Sequence, residues 1–281
     1  RWAVSEFPGL RDQLVVLSRG GAGPWYEGLA WRYVDLFDRF GLDEFRARFP
    51  KFLKQTSKNN DSRGYLRRNY PEKEKELVEL ALREVGTERI NILHPSEMYD
   101  NFKHLRHATD DWVTTCYQKL TPVTMTDLDG KFPTRFVAVR FYNNLAYGLN
   151  DANQAFAQAV VRHLADQLPL VLLNTDVSYD PKHSDFPLDV YGNVTCLAEY
   201  MTDANNLTVQ SAVLCKAAAW VGSYGGLSYL APYYGCPSFA LFSNRHSAKA
   251  EHRALATATL AEPHLGGYRA GAVDEITPEA V

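Results

Sequence analysis

The chain is poor in several features that would narrow its class at once, and each shortage excludes something. Its 281 residues hold only four cysteines, Cys116, Cys196, Cys215 and Cys236, with no Cys-x-x-Cys pair and no histidine spacing suited to zinc. A disulfide scaffold and a zinc module are therefore not expected, and the thiols should be reduced and mostly buried. No apolar run approaches the roughly 20 residues of a membrane-spanning helix, and no charged-then-apolar leader opens the sequence. The first residue, Arg1, is not a start methionine. The expectation is a sequence that begins inside a longer or processed product, with a removed leader left open. A cytoplasmic location is favoured, a secretory lumen stays open, and so does peripheral membrane contact. The formal net charge is −3 and the one basic cluster, Arg63 to Arg68, is local. Nucleic-acid binding thus lacks electrostatic support. A Gly-x-Gly-x-x-Gly fingerprint is missing from both glycine turns, which disfavours a dinucleotide-dependent oxidoreductase.

What is present is the composition of a globular protein, 46% hydrophobic with 22% charged residues, and enough length for two modest α/β domains. The chain is organised around Trp220–Pro232, which reads as strand, turn and helix. Upstream, Val209, Val213, Leu214 and Ala217 recur at helical spacing behind Asn205 or Asn206 as N-cap, and the helix feeds an apolar strand over Ala218–Val221. Downstream, Leu227–Tyr234 reads as a helix ended by Gly235, and Pro237–Ser243 as a buried strand. Gly225-Gly226 permits close backbone approach, and the helix that follows aims unsatisfied N–H groups at whatever lies above the turn. Ser223, Tyr224, Ser228 and Tyr229 add a hydroxyl density that a purely structural turn does not require. A phosphate fits such a place. The alternative is a tight turn with no ligand.

The first half opens with a strand over Gln13–Ser18, the loop Arg19-Gly20-Gly21-Ala22-Gly23-Pro24 and a helix over Tyr26–Phe40. Arg19 beside the glycines could hold a phosphate or sugar or be merely solvated, and Trp25 and Tyr26 offer flat surfaces to a sugar ring. A helix is expected over Glu72–Val85. A short strand over Ile90–Leu93 delivers His94, which could serve as general base or as a structural, hydrogen-bonded histidine. Lys54 and Lys103 default to solvated lysines.

Thr121–Pro133 reads as a linker, placing domain boundaries at 1–125 and 126–281. Beyond it come a strand over Arg135–Tyr142, a helix capped by Asp151 and running to about Gln167, and strands over Leu170–Asn174 and Val194–Leu197. Strand, helix, strand at this spacing implies parallel pairing with a right-handed crossover. Arg140 sits at the strand's exit, the edge where open α/β sheets bind ligands, and a guanidinium suits phosphates there. Its alternative is an ion pair with a carboxylate such as Asp151. Tyr142 and Asn143 follow it, Asn174 ends the next strand, and His183 and Asp185 lie in the loop beyond. Asn193-Val194-Thr195 and Asn206-Leu207-Thr208 match the glycosylation pattern without deciding a compartment. Ala248–Leu260 reads as helix, and Gly266–Val281 as too polar for core.

The run "NLTVQSAVLCKAAAWVGSYGGLSYLAPYYGCPSFALFS", Asn206–Ser243, resembles the last helix-strand-loop-helix-strand unit of the nucleotide-sugar domain of GT-B glycosyltransferases, whose Gly-Gly-x-Ser-like turn faces the donor diphosphate. The likeness covers the second half well and the first half loosely. It implies two Rossmann-like α/β/α domains facing a cleft, with mainly parallel sheets. It also implies transfer of a sugar from a nucleotide-diphosphate sugar to an acceptor hydroxyl on a carbohydrate or glycoconjugate. Arg140, Asn174, Ser223, Tyr224, Gly225, Gly226 and Ser228 would hold the donor, and Arg19, Gly20, Gly21, Trp25 and Tyr142 would line the acceptor side. His94 and Arg140 would be catalytic. No cofactor and no Asp-x-Asp metal site are expected, and the second half lacks the Glu-x7-Glu signature of several retaining families, so stereochemistry stays open. The alternative is a non-catalytic nucleotide- or carbohydrate-binding domain of the same fold.

Overall fold

A computed structural model describes residues 8–18, 22–36, 71–86, 118–175, 184–190, 192–248, 250–260 and 264–281. The chain divides into two compact units, Trp2–Val113 and Thr114–Val281.

In the first unit, β1 (Val15–Ser18) leads through the one-turn helix α1 (Gly23–Tyr26) to β2 (Arg32–Asp35). The strands pair in parallel, Val15 opposite Arg32 and Ser18 opposite Asp35. The helix expected over Tyr26–Phe40 is thus corrected within the described residues. Gly28 turns the chain at φ 71°, and Arg32 to Asp35 pass from exposed to buried as a strand at a sheet edge. The apolar spacing of this stretch suits a helix, but the turn glycine breaks the period before it can propagate. Helix α2 (Pro71–Val85) forms where expected, buries Leu80 and Ala81 and packs on β1. Its Glu84 holds Arg32 of β2 at 2.7 Å.

The second unit carries β3 (Val137–Arg140), α3 (Asp151–Ala165), β4 (Leu170–Leu172), β5 (Val194–Cys196), α4 (Asn206–Leu214), β6 (Ala219–Ser223), α5 (Gly226–Tyr233), β7 (Ser238–Phe242), α6 (Ala250–Leu260) and β8 (Tyr268–Ala272). All six strands are parallel, in the order β5-β4-β3-β6-β7-β8. Val137, Ala138, Val139 of β3 and Leu170, Val171, Leu172 of β4 are all buried, the uninterrupted apolar run of strands covered on both faces. One face packs Val137, Val139, Leu170, Leu172 and Val221 against Ala157, Val160, Val161 and Ala165 of α3. Strand alternation sends Ala138, Arg140 and Trp220 to the other face, where Arg140 meets α4. The mainly parallel α/β character expected from the sequence is what the sheet shows.

Several local expectations change. Asn150, not Asp151, caps α3, accepting the Asn153 N–H on its side chain at 2.9 Å. Val123 and Leu128, in the segment read as linker, are buried in the second unit. The polar-looking tail supplies edge strand β8, with Tyr268 and Ala272 buried against β7. Its small alternating residues fit a pleated edge even though its mean polarity is high. Helix α5 ends at Gly235, φ 80°, and contains Pro232, whose missing N–H orphans the Ser228 carbonyl one turn back. The Ser238 hydroxyl on β7 donates to that carbonyl at 2.8 Å and replaces the lost bond.

Candidate ligand site at the switch point

Open parallel sheets bind ligands outside the carboxyl ends of their strands, where the strand order reverses. In this sheet the reversal lies between β3 and β6. The two strands approach so closely that a β-carbon on Gly222 would stand 1.9 Å from the Arg140 carbonyl oxygen. Just beyond, the Tyr142 amide donates to the Ser223 hydroxyl at 2.9 Å.

Arg140 is firmly committed to protein partners. Its Nε donates to Asp185 Oδ1 at 2.8 Å, Nη2 to Asp185 Oδ2 at 3.3 Å, and Nη1 to Gln210 Oε1 at 2.7 Å. The pair is largely buried, with side-chain exposures of 14% and 10%. Asp185 also accepts the Thr175 N–H at 2.7 Å, and Gln210 Nε2 donates to Asn206 Oδ1 at 3.2 Å. The ion pair that the sequence reading set against a phosphate role is thus formed, with Asp185 in place of Asp151. Its net charge is zero, which weakens its pull on an anion. Ser184–Phe186 runs beside the continuation of β3, with Asn143 N–H donating to the Ser184 carbonyl at 2.8 Å and Phe186 N–H to the Phe141 carbonyl at 2.9 Å. Asn174 serves this same segment, its Nδ2 donating to the Phe186 carbonyl at 2.9 Å.

The hydroxyls around the glycine turn also work internally. Ser223 and Ser228 are fully buried. Ser228 Oγ accepts the Gly225 N–H at 3.1 Å and donates to the Gly225 carbonyl at 2.7 Å, closing the turn on itself. Tyr224 is buried edge-on to Tyr229 at 5.4 Å and Phe242 at 6.0 Å, and its carbonyl accepts Asn144 Nδ2 at 3.1 Å. The group that reaches the turn from outside is Tyr142. A β-carbon on Gly225 would lie 2.1 Å from its hydroxyl, and the Gly226 amide lies near enough to that oxygen to pull its pKa down. The ring in turn lies 5.3 Å from Arg140 Cζ. Arg140 and the glycine turn therefore share one face of the sheet, with Tyr142 between them.

Burial raises the Tyr142 hydroxyl above its ordinary pKa, against the opposing pull of Arg140 and the Gly226 amide. Tyr229 and Tyr268 are raised for the same first reason, burial, with neighbouring phenols adding to it. All are protonated donors at neutral pH.

Gln210 and Asn144 escaped sequence reading, and Asn206 was read only as a helix cap and a glycosylation pattern. Their one signal was the polar pair Asn206 and Gln210, four residues apart beside the apolar Val209 and Val213, a spacing that puts both on one side of a helix. Asn206 is 1% exposed, so the folded chain withholds the second glycosylation pattern, whereas Asn193 is exposed. Trp25 lies in α1, beside a shallow cavity of about 410 Å³ lined by Gly23, Pro24, Tyr26, Glu27, Gly28, Ala30 and Tyr33. Arg19, Gly20, Gly21, His94 and His183 lie outside the described residues, as do Lys54, Lys103 and the strand expected over Ile90–Leu93.

The expectation that the chain has no Asp-x-Asp triplet needs correction: Asp127-Leu128-Asp129 is one. Leu128 is buried, and Asp129 accepts Lys216 Nζ at 3.1 Å, which accounts for the triplet as a turn. Among the described residues no group of three or more histidines, cysteines and carboxylates is placed to hold a metal, and no helix is long and apolar enough to cross a membrane. No protein-family model matches the chain, and neither a curated protein nor a solved structure matches it significantly.

Proposed function

We propose that the chain is a glycosyltransferase of GT-B type that transfers a sugar from a nucleotide-diphosphate sugar to an acceptor hydroxyl, with the donor seated on the second unit. The observation that supports this most is the meeting of Arg140, Tyr142 and the Gly225-Gly226 turn on one face at the reversal of a parallel sheet. The turn opens α5, whose dipole favours negative charge at that end. Developing charge on a leaving diphosphate would be met by fixed dipoles and phenolic donors, which is a large catalytic term when the groups are preorganised. Arg140, neutralised by Asp185, acts in this reading by holding Tyr142 and Ser184–Phe186 in place and offering its remaining N–H groups. His94 remains the proposed base on the acceptor hydroxyl.

A second reading, a nucleotide-binding module without turnover, is favoured by the ion pair itself, since a site whose cation is already paired has less charge to give a transition state. Thermal unfolding with UDP, GDP, ADP, CDP and dTDP tests the shared element, because a ligand of the folded state raises Tm. Stabilisation by one of them, followed by hydrolysis or transfer from its sugar conjugate that His94→Ala abolishes, supports the transferase. Stabilisation with no turnover supports the module, and stabilisation by none overturns both.

A further inference from the structure

We infer that the Tyr142 hydroxyl is the donor through which the switch point holds an anionic ligand oxygen, standing between that ligand and the amides of the α5 turn. This deepens the proposed function and rests on it for the ligand class, a phosphate or diphosphate. Three observations carry it.

First, the position is built into the chain. Gly225 has φ 154°, and any β-carbon there would stand 2.1 Å from the phenol oxygen, so the glycine admits this hydroxyl to the turn. Second, the Gly226 amide lies beside this oxygen, and among the described residues no acceptor is in place for the phenol's own proton. A phenol oxygen beside a helix-terminal amide sits at the positive end of that helix, which makes its hydrogen a stronger donor than that of a free phenol. Third, β8 brings a second unspent donor beside the same turn. Tyr268 is 4% exposed, lies beside Ser228, and its hydroxyl makes no hydrogen bond of good geometry. A buried hydroxyl in that condition costs stability unless something else meets it. A buried phenol left without a partner beside the turn suits an oxygen acceptor better than an apolar ligand.

The ligand thus meets Tyr142 where a direct site would offer backbone amides, and the turn acts on it through the phenol. The reading also explains why Ser223 and Ser228 are engaged with the backbone: they hold Tyr142 and Gly225 in register, Ser223 by accepting the Tyr142 N–H and Ser228 by closing the turn.

The test is isothermal titration of wild type, Tyr142→Phe and Tyr268→Phe with the nucleoside diphosphates above and with inorganic pyrophosphate, each variant first shown by circular dichroism and Tm to be folded. Removing one oxygen from Tyr142 should weaken binding about tenfold, as loss of a hydrogen bond to a charged group does. A smaller loss is expected at Tyr268. If a nucleotide binds wild type and Tyr142→Phe equally or more tightly, the inference is overturned while the functional reading stands. If pyrophosphate alone binds and needs the Tyr142 hydroxyl, the inference holds and the nucleotide-sugar reading fails. If nothing binds wild type, both are overturned.

Discussion

Arg140 and Asp185, 45 residues apart in the chain, meet through two hydrogen bonds of 2.8 and 3.3 Å at the carboxyl edge of the sheet, with the guanidinium also bonded to Gln210. An ion pair this buried contributes little net stability as a whole, yet costs much when halved. Arg140→Ala should destabilise the second unit by about 2–4 kcal/mol, because it leaves the Asp185 carboxylate desolvated without its cation. Replacing both, Arg140→Met with Asp185→Leu, should recover part of that loss. Urea unfolding of the single and double variants measures the coupling, and simple additivity would show that the pair is not coupled.

The two glycines of the turn should behave differently. Gly225 combines φ 154° with the Tyr142 hydroxyl at contact distance, whereas nothing lies within 4 Å of a β-carbon on Gly226. Gly225→Ala is expected to cost about 2–4 kcal/mol, and Gly226→Ala to stay within about 0.5 kcal/mol of wild type. Adding Tyr142→Phe to Gly225→Ala should restore part of the loss, since the nearest remaining ring atom is Cζ at 3.3 Å. Denaturant midpoints decide this, and equal costs at the two glycines would refute the asymmetry.

Ser238→Ala should cost about 1–2 kcal/mol, although the hydroxyl it removes touches no ligand. It deprives the Ser228 carbonyl of the donor that stands in for the N–H Pro232 lacks. Adding Pro232→Ala, which supplies that N–H, should make the Ser238 change nearly neutral. A double-mutant cycle by thermal unfolding reads the effect.

Stability should fall on the alkaline side. Burial raises the Cys236 thiol from 9.0 to about 12, and Cys215 and the buried Tyr147 and Tyr268 are raised for the same first reason. These acids keep their protons longer in the folded state, so between about pH 9 and pH 12 the unfolded chain binds fewer protons and folding stability declines as pH rises. Below about pH 9 the contribution is complete. Urea midpoints from about pH 8 to about pH 10.5 should drop, and Cys236→Ala should make the drop shallower. A midpoint constant across that range would contradict the assignment.

Element type was legible wherever a period ran long enough. The apolar run of β3, the capped helix after it and the strand-turn-helix run around Gly225 all stand within a few residues of their expected limits. Where one local signal competed with another, the reading slipped: Gly28 cut the helix expected over Tyr26–Phe40, and β8 hid behind a polar average. At the candidate site Arg140, Tyr142 and the glycine turn were visible in the sequence and their partners were not. Ser223 and Ser228 were marked for their hydroxyls, yet those hydroxyls are spent on the Tyr142 amide and on the Gly225 backbone.

By itself the sequence determined a mainly parallel α/β chain with a glycine turn between a buried strand and a helix, because periodicity, caps and glycine freedom act over a few neighbouring residues. Only the tertiary structure decided that the sheet reverses between β3 and β6, that Arg140 spends its charge on Asp185, and that Tyr142 takes the place at the turn. Those outcomes depend on contacts spanning 45, 70 and 81 residues, which form when packing brings strand ends together and which no local pattern encodes.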